Sequence, residues 1–113
     1  MKIIFIGDIV GKSGLEAVKK NITFIKEKYN PDVIISNAEN AASGYGLTKK
    51  ISQELFDLGI DIITLGNHAW DQREMLSFIE NEKRIVRAMN YPKGTPGRGE
   101  YKFKLEDGRT IIV

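Results

Sequence analysis

The residues of this chain able to do chemistry fall in three short clusters: Gly7-Asp8, Asn37-Ala38-Glu39-Asn40 and Gly66-Asn67-His68. Each directly follows an apolar run that reads as a β-strand. Together they supply two carboxylates, three carboxamides and the only histidine of the chain. Carboxylate and carbonyl oxygens are ligands for hard divalent cations, and imidazole is a group that moves a proton near neutral pH. Groups so scattered in sequence meet only if the runs lie side by side in a parallel sheet. The C-terminal ends of its strands then share one edge, the edge where open α/β folds bind ligands.

The elements that must do this positioning are legible along the chain. Residues 2–7 are a continuous β-branched run, the pattern of a buried central strand. Beyond a Gly7–Gly14 loop, Leu15, Val18, Ile22, Phe24 and Ile25 recur at near-helical spacing and predict a helix to about Tyr29, ended by Asn30-Pro31. Val33-Ile34-Ile35 is a second buried strand. The stretch from Asn37 to Leu47, with Gly44 and Gly46, reads as a long functional loop. Thr48 is placed to cap a second helix with Ile51, Leu55, Phe56 and Leu58 inward, and Gly59 to stop it. Residues 61–65 predict a third strand, 71–80 a third helix using Met75, Leu76 and Ile79, and 84–87 a short fourth strand. After the Asn90–Gly97 loop, 100–105 and 109–113 form a hairpin turning on Asp107-Gly108. The expected class is α/β: a βαβαβα parallel-sheet unit with right-handed crossovers, plus a C-terminal hairpin.

Composition narrows the functions open to it. At 113 residues, 42% hydrophobic and 28% charged, the chain is one soluble globular domain at most. A formal charge of +2, spread among acidic residues, does not indicate stable nucleic-acid binding. The lack of cysteine excludes disulfides, thiolate zinc sites and cysteine nucleophiles. The apolar start ends at Gly7-Asp8, too short for an export signal, and nothing approaches the roughly 20 apolar residues of a membrane span. The expected location is therefore the cytoplasm. Thr110-Ile111-Ile112-Val113 is an apolar ending, whereas termini are usually exposed and polar. Residues 1–113 thus read as the N-terminal part of a single domain cut short, its last strand an open edge suited to self-association.

Each cluster has two readings. Around Ile6 to Gly14 the chain comes within one residue of a phosphate-binding loop. Gly11-Lys12-Ser13 is in place, but the leading glycine stands at position 7 instead of 6. The dinucleotide pattern fails at Ile9, where its second glycine belongs. A non-catalytic phosphate or nucleotide binder using Gly11-Lys12-Ser13 is the alternative function. Asp8 is either a cation ligand, or a residue that caps the first helix or braces its loop. Asn37, Glu39 and Asn40 could merely build a turn, yet a turn seldom needs a carboxylate between carboxamides, and both oxygens of Glu39 can bridge two cations. His68, preceded by Gly-Asn at a strand end, reads as a proton-transfer group. Trp70 is expected to pack under its loop, and Lys19-Lys20 and Lys49-Lys50 to lie on solvated helix faces.

The three clusters in this order, the last running on as Gly66-Asn67-His68-Ala69-Trp70-Asp71, resemble those of the calcineurin-like metallophosphoesterases. With Gly11, Ser43-Gly44-Tyr45-Gly46-Leu47-Thr48 and Asn90-Tyr91-Pro92, the chain looks most like their YmdB-like branch, associated with 2′,3′-cyclic nucleotides. The resemblance implies the first half of a four-layer α/β/β/α sandwich. It implies a phosphodiesterase acting on a small phosphodiester, with two divalent cations, iron or manganese. By resemblance Asp8 and Asn40 bind the first cation, Glu39 bridges both, Asn67 binds the second, and His68 donates a proton to the leaving oxygen. Val10 stands where the wider superfamily has a histidine, a place Asn40 takes in this branch. The family's further metal-binding histidines belong to the second half of its fold, so this chain would carry a half-site, or be an inactive half-domain.

Overall fold

The computed structural model describes residues 1–113. Four apolar runs become the parallel strands β1 (Ile3–Ile6), β2 (Val33–Asn37), β3 (Ile62–Thr64) and β4 (Ile85–Val86), hydrogen-bonded in the order β1-β2-β3-β4. The helices between them are α1 (Gly11–Tyr29), α2 (Lys49–Asp57) and α3 (Met75–Phe78). Strands β5 (Lys102–Lys104) and β6 (Thr110–Ile112) close the chain as an antiparallel hairpin. No helix is long and apolar enough to cross a membrane.

Strand order follows chain order without reversal, so right-handed crossovers carry the helices over the same face of the sheet. That face holds the main core, where Val18, Ile22, Leu55 and Phe56 from the helices meet Ile34 and Ile63 from the strands. The alternating partners Val33, Ile35, Ile62 and Val86 face the other way and are covered by Tyr101, Phe103, Leu105, Ile111 and Val113 of the hairpin region. Both faces of β2 are therefore buried, as its unbroken apolar run requires. The result is a layer of helices, a parallel sheet and a hairpin layer.

Register sets up the site. Ile6 lies opposite Ser36, Asn37 opposite Thr64, and Thr64 opposite Val86. The strands thus end nearly level, and at about 4.8 Å between neighbours the loops after β1, β2 and β3 are packed side by side.

Several expectations are corrected. β1 is an edge strand, not a central one: Ile4 and Ile6 pack towards the helices, but Ile3 and Phe5 are 44% and 58% exposed. An apolar run advertises that it can be buried without saying what will cover it. Helix α1 begins at Gly11, inside the stretch expected to be loop, and Phe24 of its apolar stripe lies on the solvent side beneath Lys28. The third helix is only the Met75–Phe78 segment, with Met75, Phe78 and Ile79 buried and Leu76 exposed. Residues before it are held in separate turns (Ala69 N to Gly66 O, Asp71 N to His68 O), because their side chains serve loop contacts instead of a helix face. As the hairpin reading expects, the C-terminal strand pairs with β5, on one side only, and places Ile111 and Val113 on the sheet.

The hairpin is pinned at the opposite end of the sheet from the clusters. Arg109 Nη2 lies 2.6 Å from Asp32 Oδ1 and 2.6 Å from Asp107 Oδ2. The Lys2 amide and then the Arg109 guanidinium hold the Asp32 carboxyl below its ordinary range. Arg109 does the same to Asp107, and both carboxylates push the guanidinium higher still.

Candidate active site

The loop after β1 lies against the loop after β2 through backbone bonds from Ile9 N to Asn37 O (3.0 Å) and Gly11 N to Asn40 O (2.9 Å). Asp8 sits between them at φ +30°, a conformation rare outside glycine and found where function over-determines the backbone. Its Oδ1 accepts from Asn40 Nδ2 at 2.7 Å. The helix-cap reading of Asp8 does not hold, since α1 starts after Val10 and has no side-chain cap bond.

Glu39 reaches across to the third cluster. Its Oε2 accepts the His68 backbone N–H at 3.0 Å and its Oε1 accepts from Asn37 Nδ2 at 3.4 Å. The carboxylate rests directly on Gly66, where an added Cβ would stand 2.6 Å from Oε1. Glycine is needed there for its lack of a side chain.

His68 is about one-third exposed, and its Nδ1 lies 2.6 Å from Asp71 Oδ2. That contact leaves Nε2 as the free nitrogen, with the carboxylate fixing the ring. Asn67 is exposed beside a groove of about 340 Å³ lined by Gly66, Ala88, Asn90, Tyr91 and Pro92. Tyr91 O–H donates to Gly66 O at 3.0 Å, and Trp70 packs edge-on against Tyr91 and onto the main core, as expected for it.

The three clusters therefore share one rim: Asp8 joined to Asn40, Glu39 joined to His68, and Asn67 between Gly66 and His68. No lysine or arginine pairs with Asp8 or Glu39. Asn37 Oδ1 is buried without a hydrogen-bond partner. Oxygen acceptors outnumber donors here, and that donor set fits a hard divalent cation. No three His, Cys, Asp or Glu side chains gather closely enough to hold a metal ion.

Gly11-Lys12-Ser13 builds no phosphate cradle. The Gly11 amide is taken by Asn40 O, and the Lys12 side chain is 91% exposed, 3.9 Å from Glu16 one turn on. Two residues beside the histidine escaped the sequence reading as site residues. Asp71 carried a signal, a carboxylate three positions after a histidine. Tyr45, whose ring meets His68 edge-on at 6.1 Å, carried none beyond its place between glycines.

A parallel sheet that collects carboxylates, carboxamides and a carboxylate-paired imidazole at its strand ends defines an α/β protein with a polar cluster on the C-terminal rim of its sheet. More narrowly, the chain belongs to the YmdB-like family, whose sequence profile, described as "YmdB-like protein", matches residues 4–113. It is 50% identical over 113 residues to a 2′,3′-cyclic-nucleotide 2′-phosphodiesterase of Bacillus subtilis (strain 168), covering 100% of this chain and 42% of that protein. Among solved structures it resembles a hypothetical protein from Thermus thermophilus, with a TM-score of 0.90 and 40% identity over 99% of this chain and 43% of that one. A structure described as that of a novel phosphatase from Mycoplasma pneumoniae superposes with a TM-score of 0.90 at 36% identity, covering 99% and 41% of the two chains. The chain spans about 42% of the length of the Bacillus relative. The α/β fold, with its four parallel strands and hairpin, superposes on part of each of these two larger structures.

Proposed function

We propose that this chain is the N-terminal part of a metal-dependent phosphodiesterase that hydrolyses a small phosphodiester such as a 2′,3′-cyclic nucleotide. One observation carries the reading: Glu39 grips the His68 amide, joining a cation-binding carboxylate to a proton-transfer group. Asp8 and Asn40 would hold one divalent cation, manganese or iron, Asn67 a second, and Glu39 would bridge them. When bound, such a pair neutralises charge on phosphoryl oxygens and activates water. The donors from this chain form a half-site, and strong imidazole ligands would come from elsewhere.

The remaining work falls to the residues of this chain. Asp71 accepts from Nδ1 of His68, so Nε2 carries the exchangeable proton when the ring is cationic and gives it to the departing ribose oxygen. Glu39, by holding the amide of His68, keeps that nitrogen in register with the cation-binding rim. Asn40, bonded to Asp8, keeps the first carboxylate turned to the same side.

The test compares the 113-residue chain with a completed form carrying the residues that follow the matched segment in the Bacillus relative. Hydrolysis of adenosine 2′,3′-cyclic phosphate, whose leaving group is a ribose oxygen, is measured with and without added Mn²⁺. Mn²⁺-dependent turnover in the completed form, reduced about a hundredfold by His68→Ala with KM little changed, is expected. An unchanged rate in His68→Ala would remove the proton-donor role. Self-association is a second proposal, favoured by the exposure of Ile3 and Phe5 on the free edge of β1.

A further inference from the structure

Tyr45 is the most exposed aromatic residue in the chain, at 63%. Burial does not explain its position, yet its backbone is tightly held. Tyr45 N donates to Ala42 O at 3.0 Å, and its carbonyl accepts from Gln72 Nε2 at 2.7 Å. Ser43, Gly44 and Gly46 around it all have positive φ, at 55°, 89° and 77°. At Gly46 a Cβ would meet the Gln72 backbone nitrogen at 3.0 Å, so the loop closes only with glycine there. A loop of this rigidity, with a non-glycine residue in the left-handed region, holds an aromatic ring out in solvent.

The ring is not placed at random. It meets the His68 imidazole nearly perpendicularly, at 80° and 6.1 Å between centroids. No other ring and no cation packs on it, so its π-surface is open beside the proposed proton donor. Flat aromatic surfaces at such a rim stack with bases, a contact tolerant of base identity.

We infer that Tyr45 is a specificity-determining residue, the platform on which the base of a nucleotide substrate stacks while its phosphodiester lies at the Asp8–Glu39 rim. The inference rests on the phosphodiesterase reading and assigns to it the residue that recognises the base of the substrate. Pyrimidine and purine substrates are both expected to be taken.

The experiment compares adenosine 2′,3′-cyclic phosphate with glycerol 1,2-cyclic phosphate, the same strained diester without a base, in the completed form with Mn²⁺. The kcat/KM ratio favouring the nucleotide is expected to fall about tenfold in Tyr45→Ala, through KM, and to be kept in Tyr45→Phe. Independently of turnover, adenosine 3′-monophosphate titrated into the 113-residue chain and the completed form should move the Tyr45 ring protons upfield, while ribose 5-phosphate should not. A preference unchanged in Tyr45→Ala, or nucleotide addition that leaves the Tyr45 resonances still in both forms, overturns the inference. Absence of turnover of both cyclic phosphates, with the resonance shift present, sinks the phosphodiesterase reading and leaves Tyr45 as a base-binding residue.

Discussion

A methyl group on Gly66 would stand 2.6 and 2.7 Å from the two oxygens of Glu39, oxygens already held by the His68 amide and Asn37. Gly66→Ala is therefore expected to swing Glu39 off the rim and, on the proposed function, to lower phosphodiester hydrolysis by the completed form about a hundredfold, the scale of an ångström-sized misplacement. Steady-state kinetics beside a thermal melt check it, and the melt should move little. Asp71→Asn removes the carboxylate on Nδ1 of His68 and should lower kcat by about tenfold or more while KM changes little, with Asp71→Glu recovering part of the loss. At this scale the sequence was partly legible. Strand-end position and residue type singled out Asp8, Glu39, Asn40, Asn67 and His68, because oxygen donors and imidazole have few other reasons to cluster there. It hinted at Asp71 only through its place three residues after His68, and did not reveal that Asp8 bonds Asn40 in place of capping α1, since that partner depends on the local path of two loops.

Among the elements, α2 behaves as its sequence announces. Thr48 Oγ1 accepts from Ile51 N at 3.1 Å, and Leu55 is fully buried on the inner face. Leu55→Ala should cost about 2–5 kcal/mol in urea unfolding, the range for a large-to-small change in a packed core. The hairpin answers to pH instead. The native state binds Asp32 and Asp107 in their charged forms, with both carboxyls lowered by amide and guanidinium hydrogen bonds. Their contribution is complete above the ordinary carboxylate range and is lost as pH falls through the lowered values. Exposed pairs of this kind contribute little to global stability. Acidification from about pH 6 to about pH 3 should thus lower the protection of the Tyr101 and Val113 amides, measured against their intrinsic exchange rates, where they pair across the hairpin, before the parallel sheet opens. Arg109→Ala should weaken that pH dependence, leaving the part that the Lys2 and residue-109 amides supply. The third helix was the element least legible, because an apolar pattern in 71–80 could not reveal that Asp71 and Gln72 are committed to His68 and Tyr45.

For the whole molecule the consequential feature is the sheet's open side. β1 has one neighbouring strand, and its Phe5 and Ile3 lie exposed on the face whose other strands the hairpin covers. Unpaired backbone beside exposed apolar side chains templates further pairing. The 113-residue chain is accordingly expected to self-associate in sedimentation velocity at micromolar concentration, and Phe5→Lys to return it to monomer. A wild-type chain that stays monomeric throughout would remove the self-association proposal. What the sequence determined by itself was the alternation of strands and helices, the α/β class and the convergence of three polar clusters on one edge. Period-2 and near-helical patterns are local, and the handedness of βαβ connections then leaves parallel strands little choice of arrangement. Tertiary structure alone decided that β1 is an edge, that Glu39 holds the His68 amide, and that the Tyr45 ring meets the imidazole edge-on. Those contacts join residues up to 29 positions apart, and no local pattern encodes the direction in which a distant neighbour will lie.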